Sequence, residues 1–176
     1  YFRHIDQAIS RVKSATNDSA LMVTFMNLDQ ARLFGGEAAI SIKPFSWWNI
    51  NISSNVFYTN LKGAYGNNEV DNSKTGWNLT VANNHKLPKN FDLQWTAYYR
   101  SKLPSVMGTY KERYYMDMAI GKKLMKNKAR LVLRISDVFN TYRFGLDLDA
   151  LEENNNRYSQ RNRRKNESQY FILSFI

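Results

Sequence analysis

Apolar and polar residues alternate with a period of two along most of this chain, and that spacing predicts strands. In Trp48–Tyr58 the even positions read Trp, Ile, Ile, Ser, Val and Tyr, while the odd ones read Asn, Asn, Ser, Asn and Phe. A helix would mix these two sets around its circumference; a strand separates them onto opposite faces. Phe91–Arg100 places Phe91, Leu93, Trp95, Ala97 and Tyr99 on one side. Ala129–Ser136 sets Leu131, Leu133 and Ile135 against Arg130, Arg134 and Ser136, and weaker alternation runs through Gly36–Lys43 and Tyr114–Gly121. In Trp77–Leu87, Asn83 falls among Leu79, Val81 and His85, which leaves open whether a bulge corrects the phase.

Breakers between these runs come in two sizes. Lys43–Ser46, Lys86–Asn90 and Met125–Lys128 are short; Lys62–Lys74, Ser101–Glu112 and Asn140–Glu167 are long and polar. Because the two sizes alternate, an up-and-down antiparallel sheet gathers every short turn at one end and every long loop at the other. That asymmetry is characteristic of outer-membrane barrels, and soluble meanders have no reason to adopt it. The prediction is an all-β, antiparallel, up-and-down transmembrane β-barrel segment of about eight strands. Aromatics follow the same division. Phe45, Trp47, Trp48 and Phe91 adjoin short turns, whereas Tyr58, Trp77, Tyr99, Tyr114, Tyr115 and Tyr170 adjoin long loops, as interfacial girdles would.

Composition narrows the class. The length suits one domain, the absence of Cys removes disulfide scaffolds and Cys-rich zinc sites, and 14% aromatic residues argue against a disordered tail. No predominantly apolar run reaches the ~18 residues that a transmembrane helix needs, a test to which barrels are blind. A net charge of +10 suits an anionic partner without choosing one. The sequence opens at Tyr1 inside an aromatic stretch and stops at Ile176 in mid-alternation, so a piece of a longer chain is expected.

Alternation alone does not say whether the apolar face meets a core or lipid. Asn49, Asn51, Asn55, Asn78 and Asn84 lie mid-strand, where Asn is normally depleted, and they suit a wet lumen better than bulk-facing strands. The lipid-facing and girdle set is then Trp48, Ile50, Ile52, Tyr58, Trp77, Leu93, Trp95, Tyr99, Leu131, Leu133 and Ile135. The lumen set is Glu37, Arg100, Asp117, Arg130 and Arg134, which could pair with one another, with a plug domain or with an anionic substrate.

Ile135-Ser136-Asp137-Val138-Phe139-Asn140-Thr141 resembles the S-D-(I/V)-F-N-T signature near the end of TonB-dependent outer-membrane receptors, most closely the Bacteroidetes outer-membrane β-barrel proteins. Phe25–Pro44, with Asn27-Leu28, Gly35-Gly36-Glu37 and Lys43-Pro44-Phe45, resembles another strand of that family. Trp47-Trp48, Lys86-Leu87-Pro88 and Tyr98-Tyr99-Arg100-Ser101 follow in the expected order, and Tyr170–Ile176 resembles the last strand without its terminal Phe. The plug and TonB box have no counterpart here. The resemblance implies that residues 1–176 are the C-terminal transmembrane segment of a barrel of about 22 strands. A complete barrel of about eight strands also fits the length.

The implied function is the wall of a nutrient transporter in the outer membrane of a Gram-negative bacterium, with no enzymatic step. Its implied partners are outer-membrane lipid and lipopolysaccharide, the rest of the barrel with its plug, the inner-membrane energising complex acting through the plug, and a surface lipoprotein. Two alternatives stay open: a self-contained small barrel with a structural or adhesive role, and a secreted β-sandwich binding carbohydrate, with Trp48, Trp95 and Leu133 in its core. No catalytic set, metal site, cofactor or nucleic-acid module stands out, since His4 and His85 lack partners at ligand spacing. The cluster Arg157, Arg161, Arg163, Arg164 and Lys165 either contacts lipopolysaccharide phosphates or is a solvated loop.

Overall fold

The computed structural model describes residues 1–15, 21–65, 68–153 and 156–176. In chain order the strands are β1 (Phe2–Ala15), β2 (Leu21–Phe45), β3 (Trp48–Tyr65), β4 (Asn68–Leu87), β5 (Phe91–Arg100), β6 (Leu103–Ser105), β7 (Gly108–Tyr110), β8 (Arg113–Leu124), β9 (Ala129–Ser136), β10 (Phe144–Glu153), β11 (Asn156–Arg164) and β12 (Tyr170–Phe175). Eight of them form one antiparallel sheet in the order β1-β2-β3-β4-β5-β8-β9-β12. The remaining four form a second sheet, β11-β10-β7-β6. The expected count of about eight thus describes the main sheet alone. The sheet is open: β1 and β12 are its edges, and the closed cylinder of the small-barrel alternative is not formed among the described residues.

The ends sort by connection length. Phe45 pairs with Trp48 across one tight turn, and Pro88-Lys89-Asn90-Phe91 closes another with φ of 58° and 61° at its two central residues. Two consecutive left-handed residues suit the right-handed twist of the flanking strands. The third short turn, Met125–Asn127, places all three residues in the left-handed region, with φ of 49°, 55° and 71°. The β5–β8 and β9–β12 connections leave from the opposite end and carry the second sheet.

Three segments expected to be loops are largely strand. Lys62–Lys74 continues the β3–β4 ladder without a register shift, from Trp48↔His85 through Lys62↔Asp71 to Tyr65↔Asn68. Lys62 and Asp71 form an ion pair of 3.2 Å, and Asn60 Nδ2 donates to Asp71 Oδ1. The apolar alternation fades here because neither face needs an oily surface, while the backbone pairing has no reason to stop. Ser101–Glu112 holds β6 and β7, and Asn140–Glu167 holds β10 and β11.

The continuous β3–β4 register also answers the question at Asn83. No bulge intervenes, and Asn83 sits opposite Ile50 on the apolar side.

Among the described residues the main sheet has no second layer over its apolar face. Ile40, Val56 and Leu173 are 58%, 50% and 69% exposed, and Ile50, Leu93 and Leu133 are only partly buried rather than sealed in a core. A sandwich would have covered them. The small apolar cluster that does form lies with the second sheet, where Val12 packs with Met107 and Leu148.

Gly35 marks a close approach in the wall. A Cβ there would fall 2.5 Å from the Val56 carbonyl oxygen and 2.7 Å from Phe57 Cβ, whereas one at Gly36 would meet nothing. Gly35→Ala is expected to cost roughly 1–3 kcal/mol through overpacking against backbone, and Gly36→Ala about nothing. Urea unfolding of the two variants in detergent checks the contrast.

Candidate functional site

The register assigns each strand residue to a face. Trp48, Leu93, Leu133 and Ile120 share one row with His85, and Ile50, Trp95 and Ile135 share the next with Asn83 and Met118. Ile52, Trp77, Tyr99, Tyr58 and Leu131 belong to the same face. The other face carries Asn49-Asn84-Gln94-Ala119-Arg134, Asn51-Ala82-Thr96-Asp117 and Glu37-Asn55-Asn78-Arg100-Arg113. Glu37, Arg100, Asp117, Arg130 and Arg134 therefore lie on one side of the sheet. The eleven apolar and aromatic candidates lie on the other.

On the apolar face, two aromatic groups lie ten residues apart along β3. Near the short turns Phe45 and Trp47 stack at 5.4 Å, Trp47 and Trp48 at 6.1 Å, and Trp48 and His85 at 5.5 Å. Toward the long connections Phe34 meets Tyr58 at 5.2 Å, and Trp77 meets Tyr99 at 4.5 Å. Ten residues at ~3.3 Å each, tilted by ~40°, span about 25 Å of height, which matches the apolar band of outer-membrane barrels.

Asn83 is a polar intruder in this band, and Trp48 resolves it. The indole Nε1 donates to Asn83 Oδ1 at 2.8 Å, and Asn83 is 3% exposed. Trp48→Phe leaves that amide oxygen unsatisfied, for an expected loss of ~1–3 kcal/mol, while Trp48→Phe with Asn83→Leu recovers most of it. A double-mutant cycle on thermal unfolding reads the coupling.

On the polar face, Arg130 reaches across β8 to pair with Asp92. Gly121 makes room for it: a Cβ at that position would lie 2.9 Å from the Asp92 carboxylate oxygens and 3.0 Å from Arg130 Nε. Farther along, Tyr98 and Tyr115 sit opposite each other with rings 5.2 Å apart, and Tyr115 meets Tyr142 edge-on at 5.4 Å. Arg113 Nη1 donates to the Tyr142 hydroxyl at 3.0 Å.

Asp137 holds the rim together, a role the sequence motif did not disclose. Its side chain is 2% exposed. Oδ1 accepts from the Thr141 N–H at 2.9 Å and Oδ2 accepts from the Tyr142 N–H at 2.9 Å and from Ser168 Oγ at 2.6 Å. Its own N–H donates to Asp117 Oδ1 at 2.8 Å, so Asp117 belongs to the same knot. Gln169 Nε2 donates to the Val138 carbonyl at 2.9 Å, and Asp137 and Asn140 adopt φ of 46° and 53°. Both roots of the β10–β11 insertion are thereby tied to one carboxylate. Burial alone would raise its pKa, but the hydrogen bonds from Ser168, Tyr142 and Thr141 outweigh burial and hold it below the ordinary carboxylate range.

Arg161, Arg163, Arg164 and Lys165 are exposed along the edge strand β11 and just beyond it; the side chain of Arg157 lies outside the described residues. Arg161 faces Asp147 across the ladder, and Lys111 pairs with the same carboxylate. The hydrogen bond from Lys111 lowers the Asp147 pKa, and Arg161 and Arg163 add to the shift. His4 Nε2 lies 2.8 Å from Asp6 Oδ1, an adjacency the spacing argument overlooked, and no group of three potential metal ligands occurs among the described residues.

No curated protein and no solved structure matches the chain. A family model described as an outer membrane protein beta-barrel family matches residues 1–176. The open antiparallel sheet, its sorted connections and its two-faced strands agree with that match, and so does a location in the outer membrane of a Gram-negative bacterium. This chain belongs to the outer membrane protein β-barrel family.

Proposed function

We propose that the main sheet is part of the wall of a larger barrel of the TonB-dependent, Bacteroidetes type, a nutrient transporter without an enzymatic step. The apolar face meets acyl chains and the polar face lines a hydrated interior. The observation that carries this is the open sheet: β1 and β12, its two edges, do not pair with each other among the described residues. An unpaired edge in hydrocarbon costs several kcal/mol per polar group, which favours further strands beside both.

A plug would then occupy the lumen, exchanging force with an inner-membrane energising complex, and a surface lipoprotein would cap the long-connection end. Arg161, Arg163, Arg164 and Lys165 would reach lipopolysaccharide phosphates, for which guanidinium forks are well shaped. A second reading, a self-contained barrel with a structural or adhesive role, draws on the sheet's eight strands, the count of the smallest closed barrels.

Cross-linking separates the two. In outer-membrane vesicles, full-length protein carrying Leu173→Cys on the edge strand β12 is treated with a short bis-maleimide and a cysteine panel is placed along candidate neighbours. A cross-link to a strand other than those of the main sheet, with copurification of the energising protein, is the expected result. A cross-link to β1 would favour the small barrel.

A further inference from the structure

We propose that Arg100 and Arg113 form a binding site for a carboxylate or phosphate group of a small solute, at the root of the long connections; this rests on the polar face being the hydrated one. The two arginines are direct cross-strand partners, the last pair of the β5–β8 ladder. Like charges placed directly opposite repel, and sheets normally avoid them. Here no carboxylate among the described residues forms an ion pair with either of them, and the Nε of each is buried without an acceptor. Carboxylates on neighbouring segments are engaged: Glu112 by Lys102 at 3.8 Å, Asp117 by the Asp137 N–H, and Asp147 by Lys111.

Arg113 is also held in place. Its guanidinium lies 4.9 Å over the Tyr142 ring and 5.8 Å from Phe144, in addition to the Tyr142 hydrogen bond. Tyr142 is fixed in turn by the Asp137 carboxylate through its N–H. A guanidinium anchored through one nitrogen and stacked on a ring keeps its remaining donors aimed, which suits the planar oxyanions that arginine recognises in bidentate fashion. The edge of Tyr115 and the ring of Tyr98 continue this wall as a strip along which an apolar or ring-shaped portion of a ligand could lie. One row farther up, Leu103 of β6 sits directly over Gly76 and beside Phe57. That overhang favours a solute over a folded domain as the occupant.

The test uses the full-length protein in detergent, with inorganic phosphate and citrate as probes and chloride at matched ionic strength as reference. The thermal midpoint of the wild type is expected to rise saturably with either probe beyond the chloride reference. Arg100→Gln is expected to abolish that rise while remaining at least as stable as the wild type in chloride, because a repulsion has been removed; Arg113→Gln should abolish it too, at some cost in stability from the lost Tyr142 and Phe144 contacts. Arg113→Lys should weaken the apparent affinity about tenfold, since a point charge replaces a fork. Lys123→Gln, equally basic and at the far end of the same face, should keep the full response. No rise in the wild type, or the same rise in both glutamine variants, would overturn the site. A maleimide accessibility comparison of Asn51→Cys and Ile50→Cys in liposomes separates the two layers of inference: labelling at position 51 alone, with no phosphate response, refutes the site and leaves the hydrated face standing.

Discussion

Trp95→Arg is expected to abolish assembly in the outer membrane, whereas Thr96→Arg, one residue along the same strand, should assemble. Trp95 belongs to the apolar face, opposite Asn83 on β4 and Met118 on β8. An arginine facing lipid near the middle of the band costs about 2–4 kcal/mol, and removing the indole from its neighbours on β4 and β8 adds to that. Against a total stability on the order of 5–15 kcal/mol, this is enough to tip a marginal wall toward the unfolded state. Thr96 faces the polar side, opposite Asp117, so the same charge there enters a hydrated, acidic neighbourhood. Heat-modifiable gel mobility and the fraction recovered in outer membranes measure both variants. Equal tolerance of the two arginines would contradict the assignment of faces.

Removing the Asp137 carboxylate is the second large effect. Asp137→Ala strips the acceptor from the Thr141 and Tyr142 N–H groups and the Ser168 hydroxyl at once. At ~1–3 kcal/mol for each buried donor left unmade, partly offset by water, a loss of roughly 3–5 kcal/mol is expected. Asp137→Asn keeps one acceptor oxygen and should lose about half as much.

The pH dependence has a definite sign. The folded pKa lies below the ordinary value of 3.8, so the carboxylate contributes stability above about pH 4 and loses it as the pH falls toward the lowered folded value. Wild type should weaken in that acid window, and the asparagine variant should show a flatter curve through it. Chemical unfolding across pH 2–6 reads both the size and the slope.

Much of the wall was legible because burial requirements write themselves into a period of two. Where one face is oily and the other wet, as in β3, β5 and β9, every residue carries the signal. The signal vanishes where both faces are wet. That is why the upper part of the β3–β4 hairpin read as a loop, although its ladder runs unbroken to Tyr65↔Asn68. The second sheet was hidden for a different reason: β6 and β7 are three residues each, and the pairing of β7 with β10 is a tertiary fact with no local pattern. Pairings that depend on register were equally silent. Nothing in the order of residues brings Trp48 to Asn83.

The polar candidates show the same division. Arg100 could be placed on its face by alternation, whereas Arg113 fell one residue outside the alternating run that began at Tyr114. Extending that run by a single step would have placed it on the polar face, although alternation alone would not have set it opposite Arg100. The Ser136-Asp137 motif was visible as a resemblance, but the reason for the aspartate was not, since its partners Thr141, Tyr142 and Ser168 come from both ends of a long insertion.

A cysteine scan of residues 93–98 in proteoliposomes tests the orientation of the wall most directly, and a chain without cysteine makes each introduced thiol unique within it. A membrane-impermeant maleimide should label positions 94, 96 and 98, while a probe attached at 93, 95 or 97 should be quenched by brominated lipid. Uniform labelling, or the opposite alternation, would mean that the oily side of the sheet does not face the bilayer.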